Sequence, residues 1–228
     1  MAESFNEDDD LARLKQWWKE NGLALVLGAG VGLAAILGWQ WWQAHVEATA
    51  MEASALYDDF RSNLSKGDAG DETQALAEQL RSDFSGTPYA TQAALSLARY
   101  YVEREEYKPA IEQLKWVVSY TDQEAMRHIA RVRQARLLWA QDKSEQALEL
   151  LNQDHPAAFT PLYAELKGDI SAEAGELEAA REAYRNALQE MPVDSDKLAL
   201  QRKLQDVGGT VETVVEPASN PGSNGETS

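Results

Sequence analysis

The sequence predicts an all-α chain: one transmembrane helix near the N-terminus, followed by a solenoid of three to four stacked helix pairs. Three observations carry this. Gly22 to Trp39 is an 18-residue stretch without a charge. The chain beyond it shows helical periodicity, with no alternating β-type run and few β-branched residues outside Val211 to Val215. Small, aromatic and proline residues then recur at offsets close to a 34-residue repeat period.

In chain order, the Glu7-Asp8-Asp9-Asp10 run reads as a solvated segment rather than a cation site, with Asp10 capping a helix that begins at Leu11. The uncharged stretch comes next. At about 1.5 Å per residue it spans roughly 27 Å, close to the ~30 Å hydrocarbon core of a bilayer. Five of the seven tryptophans flank it, Trp17 and Trp18 before and Trp39, Trp41 and Trp42 after, where an amphipathic indole favours the headgroup level. Leu23, Leu25, Val26, Leu27, Val31, Leu33, Ile36 and Leu37 contribute about −2 to −5 kcal/mol to insertion.

Basic residues set the orientation. Arg13, Lys15 and Lys19 precede the span, and the first lysine or arginine after it is Arg61, which predicts a cytoplasmic N-terminus. The expected organisation is a cytoplasmic segment over 1–20, the span over 21–44, a periplasmic domain over 45–207 and a disordered tail over 208–228 in an inner-membrane, single-pass protein. A cleavable signal peptide is the competing reading, since Ala48-Thr49-Ala50 resembles a cleavage site. It fits less well, because a signal's apolar region is shorter and its cleavage site follows closely.

Small residues recur every fourth position on two faces of the span: Ala24, Gly28 and Gly32 on one, Gly30, Ala34 and Gly38 on the other. Such spacing lets a second membrane helix approach closely, although glycine is also simply common in membrane helices.

Composition limits what the remaining domain binds. Beyond residue 43, 18 basic residues face 32 acidic ones, a net charge of −14, which argues against nucleic acid as a partner. With no cysteine there are no disulfides, thiolate metal sites or cysteine nucleophiles. His45, His128 and His155 are isolated, and no HExxH pair, GxSxG elbow or Gly-rich phosphate loop accompanies them. The histidines read as surface or satisfied residues. The reading is therefore a non-enzyme with no cofactor.

The repeat signal is clearest from Pro161 to Pro192, where Gly168, Ala180, Tyr184, Ala187 and Pro192 fall at the spacing of a tetratricopeptide repeat (TPR). Gly168 and Ala180 are small where two antiparallel helices cross, Tyr184 fills the space beside them, and Pro192 ends the second helix. Leu97, Ala98, Tyr101, Ala110 and Leu114 fit a unit starting near Thr91, and Ala135, Leu138, Ala147 and Leu151 one starting near His128. These starts lie 37 and 33 residues apart. An earlier unit from about Tyr57, with Leu76, Leu80 and Pro88, matches weakly. Lys197 to Asp206 reads as a capping helix introduced by Asp194, Ser195 and Asp196, and the Gly/Pro/Ser-rich stretch from Gly208 as disordered.

Lys19-Glu20-Asn21-Gly22 leading into a glycine-rich span closed by Trp39, Trp41 and Trp42, followed by LALA-type helices and Leu166-Lys167-Gly168-Asp169, resembles the YfgM-type ancillary SecYEG translocon subunits of Gram-negative bacteria. The resemblance covers residues 11 to 206. It implies a periplasmic TPR-like domain beside the Sec channel, associated with a membrane-anchored parvulin-type prolyl isomerase and assisting exported polypeptides. It carries over no catalytic residue.

TPR geometry places first-helix residues on a concave face where extended peptides or partner helices dock. The corresponding positions are Leu95, Arg99 and Val102, then Ile129, Val132, Arg136 and Trp139, then Leu162, Glu165 and Asp169. An apolar groove with two arginines suits a polypeptide. Packing between repeats is the alternative role for several of them, Trp139 above all. Function then divides between an interaction module serving protein export and a structural scaffold that holds an envelope complex together without binding clients.

Overall fold

A computed structural model describes residues 7–67 and 69–210; the side chains of residues 7–10, 12, 14 and 24 lie outside that description. The stretch 211–228, with Val211 to Val215 and most of the expected disordered tail, also falls outside it.

The described residues form nine α-helices and a short 3-10 turn: α1 (Glu7–Ser65), α2 (Asp71–Asp83), α3 (Pro88–Val102), α4 (Tyr107–Tyr120), α5 (Glu124–Trp139), α6 (Ser144–Leu151), the turn Ala157–Phe159, α7 (Thr160–Glu173), α8 (Leu177–Glu190) and α9 (Leu198–Asp206). The principal packings join α1 to α2 and α3, α2 to α3, α3 to α4, α4 to α5, α5 to α6 and α7, α6 to α7, α7 to α8, and α8 to α9. Helices that touch mainly their chain neighbours build a solenoid.

The anchor and the first repeat helix are one element. α1 runs unbroken for 59 residues, about 88 Å at 1.5 Å per residue. The helix continues without a break through Ala44, and Asp10 lies inside it rather than capping it, a correction to the expected start at Leu11. Along the apolar stretch the side chains are bare: Leu23 is 76% and Val31 70% exposed. Only lipid or another helix relieves such a surface. From Ala53 the same helix turns apolar residues inward, and Ala53 and Phe60 are fully buried against Ala77 and Leu80 of α2 and Ala90, Ala93 and Leu97 of α3. The first repeat therefore begins before Tyr57, with its first helix continuous with the anchor.

The other pairs follow from apolar spacing. In α3, Ala90, Ala93, Ala94, Leu97 and Ala98 are buried, a stripe at i, i+3, i+4, i+7 and i+8 that faces two neighbours at once. Pro88 occupies its first turn, where the missing N–H costs nothing. Leu114 and Val117 of α4, Ala135 and Leu138 of α5, Ala147 and Leu151 of α6, and Leu166 and Ile170 of α7 continue the central core. A third cluster joins Ala164, Ala180, Tyr184 and Ala187 to Leu200, Leu204 and Val207 around α9.

The repeat is visible in the backbone. Gly67, Glu105, Asp142 and Gly175 carry φ of +80°, +62°, +59° and +77°, each just beyond the first helix of a pair. After three of those helices the same bond closes the end: Glu106 N–H to Tyr101 O, Lys143 N–H to Leu138 O and Glu176 N–H to Ser171 O, at 2.9 to 3.0 Å. This is the left-handed C-terminal motif that satisfies orphan carbonyls. Glu105, Asp142 and Gly175 lie 37 and 33 residues apart, the spacings of the expected unit starts. At the other end Gly208 and Gly209 cap α9, with Gly209 N–H bonded to Leu204 O at 2.8 Å.

Candidate functional site

First helices of successive units line the concave side. α1 packs on α3 and α5 on α7, whereas α3 and α5 are not among the principal packings. The gap between them is a groove of about 330 Å³ lined by Leu95, Ala98, Arg99, Val102, Leu114, Arg133, Arg136 and Leu137. Four of the expected positions, Leu95, Arg99, Val102 and Arg136, meet there. Its floor is apolar because Ala98, Leu114 and Leu137 belong to the core beneath. Arg99, Arg133 and Arg136 stand exposed around it.

Other expected groove residues have different surroundings. Val132 is only 2% exposed and packs in the core, one residue and about 100° of helix away from Arg133. Ile129 is half-buried and outside the groove lining. Trp139 and Leu162 are half-buried against the central core, and the Trp139 indole N–H donates to the Glu173 carboxylate of α7. Trp139 therefore joins two repeats by packing.

Glu165 and Asp169 already have partners within the domain. Lys203 of α9 donates to Glu165 Oε1 at 2.6 Å and to Asp169 Oδ2 at 2.8 Å, and the Tyr184 hydroxyl donates to Asp169 Oδ1 at 2.9 Å. Burial pulls the Lys203 ammonium down, but its bonds to Asp169 and Glu165 outweigh this and raise its pKa. Burial, reinforced by the Asp169 bond, also raises that of the Tyr184 hydroxyl. The capping helix thus engages the α7 end of the concave face, and the groove is lined by α3, α4 and α5. Sequence reading missed Ala98, Leu114 and Leu137 of the floor and, among the charged residues, Arg133. Its position three residues before Arg136, on the same helical face, is the signal that finds it.

The histidine expectation divides. His128 is 5% exposed, with Nδ1 2.8 Å from the Tyr163 hydroxyl and its ring stacked 4.3 Å from Phe159. It is a satisfied core residue. His155 lies against the other side of Tyr163, ring centroids 4.2 Å apart. Among the described residues no cluster of histidine, aspartate and glutamate has the arrangement of a metal site.

In the span, a Cβ added at Gly28, Gly30, Gly32 or Gly38 would meet nothing within 4 Å, and Ala34 is exposed. Both small-residue faces are bare; the side chain of Ala24 lies outside the described residues.

An apolar anchor running unbroken into a helical-repeat layer with a concave groove defines a membrane-tethered repeat protein. The tetratricopeptide repeat-like domain family matches residues 15–209. Proteins called ancillary SecYEG translocon subunit are similar along most of their length: one from Neisseria gonorrhoeae is 30% identical over 208 residues, covering 90% of this chain and 98% of the relative. Those from Haemophilus influenzae and Escherichia coli are 29% and 28% identical, covering 83% and 78% of this chain and 92% and 85% of the relatives. The chain belongs to the family of ancillary SecYEG translocon subunits, with its tetratricopeptide repeat-like domain. No solved structure matches it. Fold and relatives together point to a non-catalytic adaptor.

Proposed function

We propose that this protein is a single-pass inner-membrane subunit associated with the Sec translocon, with its N-terminus cytoplasmic and its repeat domain periplasmic, and that its concave groove binds polypeptide. In that setting it assists the handover or folding of exported proteins beside a membrane-anchored parvulin-type isomerase. The observation that supports this reading is the apolar floor of Leu95, Ala98, Leu114 and Leu137 beneath Val102 and three arginines, at the register where repeat domains receive extended chains. The basic residues before the span support the orientation.

A photoreactive side chain at Val102, activated in intact cells, tests the groove. Adducts with Sec components, the isomerase or exported chains are expected; their absence, with adducts forming elsewhere on the domain, refutes the groove. Protease added to spheroplasts should degrade the repeat domain, and full protection refutes the orientation. The continuity of α1 with the first repeat favours a second reading, a rigid scaffold. That reading predicts one stoichiometric adduct and no client.

A further inference from the structure

Acidic residues outnumber basic ones in this chain by 17, yet the groove is rimmed by arginine. A second hollow, lined by Arg61, Leu64, Ser65, Ser96, Arg99, Tyr100 and Glu103, adjoins the first and shares Arg99 with it. Together they place Arg61, Arg99, Arg133 and Arg136 along one surface from α1 across α3 to α5. Glu103 is the one acidic residue in the lining of the two hollows, and it is held by Arg99 Nε at 2.7 Å. Among the described residues Arg61, Arg133 and Arg136 have no carboxylate partner. The acidic groups farther along the concave side, Glu165 and Asp169, lie on α7 outside both hollows and share the single ammonium of Lys203, which offsets one of their two charges. The face open to a ligand is therefore positive as well as apolar.

From these observations, and resting on the reading of the groove as a polypeptide site, we propose that the groove selects extended segments in which aspartate or glutamate alternates with aliphatic side chains. Charge complementarity sets the choice. A guanidinium binds a carboxylate through two parallel charge-assisted hydrogen bonds, whereas a lysine-rich segment meets like charge and leaves the arginines unpaired. The surface crosses three helices, one packed step of about 8–10 Å from α1 to α3 and then the open groove from α3 to α5, at least as wide, for a total of about 20 Å or more. That accommodates about six residues of extended chain at ~3.3 Å each. Alternation suits it because successive side chains of an extended segment point to opposite sides, one set toward the apolar floor and the other toward the rim. Arg61 also lies 17 residues beyond Ala44 on the unbroken α1, about 25 Å along the helix, so the selected segment is one close to the membrane.

The test uses the full-length protein in detergent micelles and three fluorescein-labelled peptides that share one leucine and valine pattern, with glutamate, glutamine or lysine at the alternate positions. Anisotropy titration should rank glutamate over glutamine over lysine, with at least a ~10-fold gap between the first and last that shrinks as salt rises from about 0.05 to 0.5 M. Arg133→Gln with Arg136→Gln should abolish the ranking while the glutamine peptide still binds. Equal affinity for all three peptides in the unaltered protein, with binding lost in Leu95→Glu, overturns the charge selection and leaves the groove standing. Binding of none of them, or binding insensitive to Leu95→Glu in a variant of unchanged melting temperature, overturns the groove itself. A ~10-fold gain for the glutamate peptide on removing residues 211–228 overturns the external segment as resident occupant, in favour of the chain's own stretch from Glu212 to Glu226.

Discussion

Gly168→Ala should destabilise the last repeat, although the same change on an exposed helix face stabilises. A Cβ at Gly168 would lie 2.4 Å from Cε1, 2.5 Å from Cδ1 and 3.0 Å from Cζ of Tyr184. Carbon atoms settle at about 3.5–4.0 Å, so the ring or the helix must retreat by about 1 Å. The ring has little freedom to do so. Tyr184 is 3% exposed, and its hydroxyl is fixed to Asp169, which also holds Lys203. Overpacking costs about 1–3 kcal/mol, and straining the hydroxyl bond about 0.5–1.5 more. Alanine returns about 1 kcal/mol of helix propensity. The net loss is about 1–3 kcal/mol, which for a domain of this size lowers the melting temperature by roughly 3–10 °C. Circular dichroism of the full-length protein in detergent measures it. Tyr184→Leu in the Gly168→Ala background removes the obstructing ring edge and should recover part of the loss. A single variant that melts at or above the unaltered protein refutes the steric argument.

Three further outcomes follow from the same geometry. Lys203→Met leaves Glu165 and Asp169 facing each other without a cation; because the lysine is a third exposed, the cost is about 1 kcal/mol, read as faster amide exchange over Leu200 to Val207, and unchanged exchange there would show that the ion pairs do not hold α9. Burial, with Arg131 nearby, holds the His128 imidazole below its ordinary value of 6.5. Below about pH 6.5 the unfolded chain therefore takes up a proton that the folded one refuses, and stability should fall between pH 7 and 5.5, less steeply in His128→Gln; equal slopes in the two proteins would refute the assignment. Glu105→Gly relieves a residue at φ +62°, where an L side chain costs about 1–2 kcal/mol, and after the larger unfolded-state entropy of glycine should still gain about 0.5 kcal/mol in denaturant titration, whereas a loss would mean that the side chain holds the turn.

Sequence revealed most where one residue type has one steric function. Gly168 beside Tyr184 is readable because a close helix crossing admits only a minimal side chain, and the 37- and 33-residue spacings persist because each unit turns at an equivalent left-handed position. The first repeat was faint for the opposite reason. Its leading helix is the continuation of the anchor, so Ala53 and Phe60 appear without a turn or cap to announce them. The face assignments split along α5: Arg136 lines the groove while Val132 is core, because a helix rotates about 100° per residue and four positions return only approximately to the same line. The capture of Glu165 and Asp169 was not legible. Lys203 is 38 and 34 residues away from them in sequence, and only the docking of α9 brings it there.

The unbroken α1 also fixes the phase between membrane and groove. At about 100° per residue, Gly32 lies roughly 20° and Gly28 roughly 60° around the helix from Arg61, whereas Ala34 is about 180° away. The Gly28 and Gly32 side of the span therefore points to the side on which Arg61 rims the groove, and the Gly30, Ala34 and Gly38 face points to the other. A partner helix packed against Gly28 and Gly32 within the bilayer would rise on the groove side. A segment leaving that helix would need to cover only the ~25 Å along α1 to reach Arg61, a span that about eight extended residues bridge. Two weak contacts held in this phase reinforce each other, because the first makes the second intramolecular. A flexible linker after Ala44 would lose that gain, and a continuous helix keeps it.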